Sequence, residues 1–508
     1  MKRTFFVCTT LAFAALAVEG ISIIPAPRAV TGRSGFFEAR EDADSVQLRC
    51  EADPSLPKEG YALTIASGGI SVRSSDTAGA FYARQTLRQL AEKAGDGWRY
   101  PCVEIVDHPQ YRWRGVLLDE GRHFFGKETV RQLLDLMARY KFNVFHWHLT
   151  EDQGWRLEIP AYPKLTQCGA MRRRSPAHGS TLKCNRKDFI YESTELNTEK
   201  YGPFFYTADD VREILAYARE RHIEVVPEIE LPGHAMAALG SYPELSCFPE
   251  RIDAGAAASD WGIFRDVFCV GNDETVRFLE NVLDYVCELF PSQVIHIGGD
   301  ECPRVNWEKC PKCQARMKAE GLKKEGDLQG WITSRMAMHL AKKGRRIMGW
   351  DEILAGDVPK SAIGQSWRMG RSGAGTEYVS GAAGAMKGYD MVMSPHILCY
   401  YSALQGLKEE PFPRPGGPIP LAKAYTFDPV NGVPESARGH VLGGQCCMWG
   451  EYLWNGYDLA WRMWPRAFAM SEVLWTAPEK RDFEEFKVRA ARERARLIGM
   501  GINCAPLE

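Results

Sequence analysis

From Arg112 onward, an apolar stretch, a polar loop and an amphipathic helix recur along the chain. Eight stretches read as strands: Gly115–Asp119, Asn143–Leu149, Glu224–Ile229, Gln293–Ile297, Arg346–Trp350, Ala362–Trp367, Asp390–Met393 and His440–Trp449. Helical periodicity predicts Lys127–Tyr140, Ala208–Arg221, Asp273–Leu289 and Gly326–Lys343 between them. Such alternation predicts an α/β protein, a (β/α)8 TIM barrel over residues 109–508. The link between the fifth and sixth strands is short for a helix, so that unit is irregular. Residues 403–438, rich in Pro and Gly, are expected to form a long loop over the barrel mouth. Residues 472–501 are expected to close the chain as one helix, with Arg489, Arg492, Arg494 and Arg496 on solvated faces. Residues 18–108 read as a small α+β domain. It holds alternating strands such as Tyr61–Ile65 and Ile70–Val72, and a helix over Thr77–Lys93.

At 508 residues the chain exceeds one ordinary core. Its 63 Lys and Arg against 65 Asp and Glu are not the balance of a nucleic-acid-binding protein. Residues 1–17 read as an export signal, with Lys2 and Arg3, then an apolar Phe5–Leu16, then Ala15-Leu16-Ala17. The expectation is a periplasmic or secreted protein. The apolar run is too short to span a bilayer, and no later stretch reads as transmembrane. Of 15 cysteines, Cys8 lies in the signal; an even remainder permits disulfides without assigning them. Cys310-Pro311-Lys312-Cys313 is a C-x-x-C with Cys302 nearby, but no second ligand pair at metal spacing is evident. A local disulfide or free structural thiols are therefore expected, with no metal and no cofactor.

A barrel of this kind carries its active site at the C-terminal ends of its strands. Asp119, Glu120 and Arg122 end the first strand, Glu151 and Asp152 follow the second, and Glu228, Glu230 and His234 follow the third. Asp300 and Glu301 follow the fourth; Trp350, Trp367 and Trp449 mark the fifth, sixth and eighth. Carboxylates, a histidine and indoles thus converge on one rim. Neighbouring side chains of a strand face opposite sides. Asp300 and Glu301 can serve one pocket only if the strand ends and the backbone turns, as Gly298 and Gly299 permit. Taken alone, the acidic pair also suits a helix start, and the tryptophans also suit a core.

Indoles beside carboxylates suit sugar recognition. A glycosidase needs an acid of raised pKa and a nucleophile or base, commonly a second carboxylate about 5 Å away in retaining enzymes. Sequence neighbours suit that layout poorly; they suit a substrate that supplies its own nucleophile. Three rivals stay open: a non-catalytic glycan-binding protein, a two-carboxylate hydrolase using Glu151, Glu228 or Glu230, and a disaccharide-releasing enzyme.

The segments Tyr111–Gly115, Leu118-Asp119, Arg122–Phe124, His146–Arg156, Pro227–His234, His296–Glu301, Gly349-Trp350, Ser366-Trp367 and Gln445–Glu451 resemble β-N-acetylhexosaminidases of glycoside hydrolase family 20. The likeness covers nearly the whole chain and implies a substrate-assisted retaining exo-hydrolase of glycans ending in N-acetylhexosamine, with no cofactor. It implies Glu301 as general acid and base, and Asp300 on the 2-acetamido N–H. It implies Tyr400 at the acetamido carbonyl and Trp350, Trp367 and Trp449 around its methyl. Arg114 and Glu451 are implied on sugar hydroxyls, and Asp152 with His234 as a supporting pair. Tyr401 is an alternative to Tyr400. Ser402 stands where the family commonly has an aspartate, which leaves the gluco or galacto preference open.

Overall fold

The computed structural model describes residues 21–176, 182–185, 190–193, 196–368, 381–410 and 417–507, and residues 1–17, read above as an export signal, lie outside them. The chain divides at Pro109 into two units. In the first, a sheet runs in the order Ala29–Ala39, Gly97–Asp107, Tyr61–Ala66, Gly69–Ser74, Leu48–Ala52. A helix, Thr77–Leu90, packs on it, its first turn closed by Asp76 accepting from the Gly79 N–H. The predicted helix ends three residues early. Glu92–Ala94 instead pairs antiparallel with Gly97–Arg99 around a tight turn at Gly95, where φ is +57°. Strand pairing there outweighs the helix propensity of Glu-Lys-Ala.

The second unit is a closed barrel of eight parallel strands. They are β1 (Trp113–Asp119), β2 (Val144–His148), β3 (Glu224–Glu228), β4 (Val294–His296), β5 (Arg346–Trp350), β6 (Ile363–Ser366), β7 (Asp390–Met393) and β8 (Val441–Met448). β8 pairs with β1 from Gly443–Trp113 to Met448–Leu118, which closes the ring. β5 and β7 match the predicted strands at both ends, and the other six differ by one or two residues at an end. Every residue of β1 and β8 is buried, because strands covered on both faces read as continuous apolar runs. Trp113, Val144, Val226, Val294, Met348, Ile363, Val392 and Leu442, one from each strand, form a single buried cluster. Side chains from all eight strands can meet only inside the barrel, so this cluster is its packed interior.

The outer helices include α1 (Lys127–Arg139), α2 (Ala208–Arg219), α3 (Asp273–Leu289), α4 (Pro311–Ala319), α5 (Glu325–Lys342), α6 (Arg466–Trp475) and α7 (Phe483–Gly499). Local chemistry sets their starts. Thr207 and Asp210 form a capping box on α2, and the Asn272 side chain accepts from the Glu274 N–H at the start of α3. Between β5 and β6 stands only a short 3-10 turn, Asp351–Ala355, the irregular unit expected there.

Two expectations are corrected. The single closing helix is broken: Pro478 cannot continue α6, a 3-10 turn follows, and Asp482 caps α7 afresh. Arg489 accordingly turns inward and holds Glu472, with Nη1–Oε2 at 2.8 Å. The described part of residues 403–438 does not cover the mouth. Its short helix Leu421–Tyr425 packs against α6, and the Tyr425 ring lies tilted against Phe483 and Phe486. Residues 411–416 lie outside the described residues. No described helix is long and apolar enough to cross a membrane.

Candidate active site

β4 ends at His296, and the backbone turns through Gly298 (φ +62°) and Gly299 (φ +92°). Only glycine fits at Gly298, since a Cβ there would stand 1.7 Å from Glu230 Oε2. The turn delivers Asp300 and Glu301 to one side. Glu301 itself sits at φ +47°, as does His234, two strained positions for side-chain-bearing residues at one site. Asp300 keeps 13% of its side-chain surface and Glu301 35%, so Glu301 is the carboxyl that faces outward.

His234 lies between two pairs of carboxylates. Its Nδ1 is 2.7 Å from Glu151 Oε1 and 3.0 Å from Asp152 Oδ2; its Nε2 is 3.6 Å from Asp300 Oδ2 and 3.8 Å from Glu301 Oε2. Burial opposes a charge on this ring, but Glu151 and Asp300 outweigh it and hold the imidazole well above its ordinary range. Asp152 is fixed in turn by the Met236 N–H, 2.9 Å away. Burial pushes the Asp300 carboxyl up to about 8 against the pull of His234, with Glu352 and Glu301 adding to the rise. Burial also raises Glu301, opposed by His234 and reinforced by Glu352.

Beside the carboxyls stands an aromatic recess. Trp350 and Trp449 lie 5.6 Å apart, Tyr400 and Trp449 5.6 Å, and Tyr400 stacks on Trp367 at 6.4 Å. Leu117 and Cys447 complete the apolar cluster. The Trp367 indole N–H donates to Glu352 Oε2 at 3.1 Å, and the Trp350 N–H to Glu228 Oε1 at 2.9 Å. Adjacent tyrosines face opposite ways: Tyr401 is fully buried under the Arg466 guanidinium, so Tyr400 is the one that reaches the recess.

Glu228 anchors the floor. His148 Nδ1 hydrogen-bonds it, His146 Nε2 lies 2.9 Å and His296 Nδ1 2.8 Å from its oxygens. Burial would raise this carboxyl, but His148, His296 and His146 outweigh that and hold it well below the usual range. His146 and His148 thus serve as scaffold. Glu151 is taken up by Arg122 and His234, and Glu230 lies against Gly298. Of the three carboxylates weighed for a two-carboxylate mechanism, Glu151 and Glu228 are thus held by charged or imidazole partners, whereas Glu230 Oε2 has no hydrogen-bond partner among the described residues.

One predicted site residue is misplaced. Arg114 is the second residue of β1, five residues before its C-terminal end, or about 16 Å away. It lies buried at the bottom of the barrel, where its guanidinium donates to the carbonyls of Lys141 (2.8 Å) and Tyr111 (2.9 Å) and stacks on Trp475. The arginine at the site is Arg122, just past the strand end. It reaches Asp119 (3.2 Å), Glu151 (3.2 Å) and Glu451 (3.8 Å) and lies over the Trp449 ring. Its position after the strand end was the available signal. Arg122→Lys is expected to raise KM about tenfold or more with little thermal destabilisation, because the planar fork that sets Glu451 is lost. Arg114→Met is expected to do the reverse, lowering Tm with KM unchanged. Steady-state kinetics beside thermal melts separates the two, and equal KM effects would restore Arg114 to the site.

Five buried polar atoms at the site, Glu230 Oε2, His234 Nε2, Asp300 Oδ1, Trp449 Nε1 and Glu451 Oε2, have no hydrogen-bond partner among the described residues. Buried polar atoms are normally paired, so these converge as a template for a polar ligand. Ser402 is fully buried. The cysteines bear on the expectation of no metal: Cys310 and Cys313 are free thiols, and Cys247 and Cys269 join them in one cluster.

The profile described as "Glycosyl hydrolase family 20, catalytic domain" matches residues 111–478, and "Glycosyl hydrolase family 20, domain 2" matches residues 39–108. A β-hexosaminidase of Porphyromonas gingivalis is 38% identical over 96% of the chain, which spans 64% of that relative's length. A β-hexosaminidase of Akkermansia muciniphila is 32% identical over 94% of the chain and 90% of its own. The solved exo-β-N-acetylglucosaminidase of Vibrio harveyi, in complex with N-acetylglucosamine, superposes with a TM-score of 0.82 at 29% identity, over 96% of this chain and 78% of that one.

Proposed function

The chain belongs to glycosyl hydrolase family 20, and from that we propose that it removes terminal β-linked N-acetylhexosamine from glycans, retaining configuration, with the substrate's acetamido group as nucleophile. The observation that carries this reading is the placement of Asp300 and Glu301. They stand between a histidine held by two carboxylates and an apolar recess, while Glu151 is held by Arg122 and Glu228 by the imidazoles beneath it. That placement supports a nucleophile supplied by the sugar.

In this mechanism the acetamido methyl enters the recess of Trp350, Trp367 and Trp449. Asp300 accepts the acetamido N–H and Tyr400 donates to the carbonyl oxygen. That oxygen attacks the anomeric carbon as the glycosidic bond breaks, and Glu301 gives its proton to the departing oxygen. The burial that raises the Glu301 carboxyl favours the protonated form this step needs. The developing oxazolinium charge lies against Asp300, and its pull favours the ionised carboxylate against the burial that raises it. Water, deprotonated by Glu301, then opens the ring at the anomeric carbon and restores the acetamide. Arg122 and Glu451 receive the outer hydroxyls.

Nitrophenyl β-N-acetylglucosaminide and β-N-acetylgalactosaminide are expected to be cleaved, and the plain β-glucoside left intact. Cleavage of the glucoside at a comparable rate would sink the acetamido mechanism. Cleavage of none, with release of a disaccharide from a longer aryl glycoside, would make the enzyme disaccharide-releasing. Residues 1–17 support a further proposal, that the protein is exported.

A further inference from the structure

Away from the active site, four cysteines from two loops meet at one point. Cys247 and Cys269 lie in the long connection after β3; Cys310 precedes α4, and Cys313 sits in its first turn. Sγ–Sγ separations are 3.6 Å for Cys269–Cys310, 3.7 Å for Cys269–Cys313 and 3.8 Å for Cys247–Cys313, and all four atoms lie within 4.8 Å of one another. Cys269, Cys310 and Cys313 are buried and Cys247 is nearly so.

These distances select among the states open to four thiols. A disulfide needs about 2.05 Å between sulfurs, and would pair two and leave two. A tetrahedral zinc thiolate has Zn–S near 2.3 Å, which places its sulfurs about 3.8 Å apart. Three observed separations fall at that value.

The surroundings suit thiolates. Cys313 lies in the first turn of α4, where helix-end N–H groups favour negative charge. Pro311 opens that helix without wasting an N–H. The Gly271 N–H hydrogen-bonds Cys269. A Cβ on Gly271 would stand 2.3 Å from Cys313 N, so the two loops touch backbone to backbone only because a glycine is there. Four such sulfurs ionise together only around a cation.

We propose that Cys247, Cys269, Cys310 and Cys313 form a structural zinc site that ties the loop after β3 to the segment after β4. Four sulfur ligands leave no open position, so the ion has no part in hydrolysis. Its work is to clamp the two segments that carry His234 on one side and Asp300 with Glu301 on the other. The seam already shows the coupling. Trp307 Nε1–H donates to the Phe268 carbonyl at 3.0 Å, and Asn306 Nδ2 to Asp266 Oδ1 at 2.7 Å. The Phe268 N–H donates to the Pro232 carbonyl at 3.0 Å, two residues before His234.

Elemental analysis of the full chain, purified without chelator or metal-affinity steps, tests the site. One zinc per chain is expected, released stoichiometrically when an organomercurial blocks the thiols. Cys310→Ser is expected to lose the zinc and melt earlier. Should that variant fail to fold, wild type produced in cobalt medium gives the second readout: intense visible bands of tetrahedral cobalt with four sulfur ligands. A metal-free protein with these four thiols free, or with disulfides among them by mass, overturns the proposal. Iron in place of zinc overturns the assignment to zinc.

Discussion

Glu301→Gln is expected to cut kcat/KM on a natural glycan by about 10²- to 10⁴-fold, the range in which positioned proton transfer contributes. The amide is isosteric and keeps the outward position but has no proton to give. A nitrophenolate leaving group needs little protonation, so the loss there is expected to be much smaller in the bond-breaking step. Comparing the variant on alkyl and nitrophenyl glycosides checks this directly. Equal losses on both would remove Glu301 from the acid role. Azide, which needs no general base, is expected to restore turnover on the activated substrate by opening the intermediate in place of water.

Asp300→Asn is expected to cost about 10²- to 10³-fold in kcat, the scale for losing one preorganised electrostatic partner of the transition state. Its effect on stability has the opposite sign from that of an ordinary buried-residue substitution. The carboxyl stands at about 8 in the folded chain against an ordinary 3.8, so the fold favours its protonated form. That contribution is complete below the ordinary value and disappears as pH rises through about 8. The asparagine variant carries no such slope. Its melting temperature is expected to match wild type at about pH 4 and to equal or exceed it at about pH 9. A variant that melts early throughout would make Asp300 a structural residue.

Much of this was legible in the chain itself, for identifiable reasons. Strands buried on both faces leave unbroken apolar runs, and each ends where polar residues begin, so all eight barrel strands stood out. Gly298 and Gly299 announced the turn that their positive φ angles describe. Arg114 misled because its segment matches a family pattern while its position along β1, near the strand's start, decides where it points. Tyr400 and Tyr401 could be told apart only by the Arg466 side chain, which arrives from residues far along the chain. The broken closing helix was readable at Pro478 and Asp482. The thiol cluster was not readable, because Cys247 and Cys269 lie 22 positions apart within one loop and fit no ligand-spacing rule.

The indole of Trp350 is not held by the loops that shape the mouth. It is fastened from beneath, to a carboxylate that three imidazoles already grip inside the barrel. Trp367, by contrast, is tied to Glu352 in a short turn nearer the rim. One wall of the recess is therefore as stiff as the fold itself and the other only as stiff as a loop. In the proposed mechanism the chamber acts as a gauge of acyl length with a fixed jaw and a yielding one. Tolerance for a bulkier amide on the sugar is set at Trp367 and its turn, and changes to the surface around Trp350 leave it where the barrel puts it.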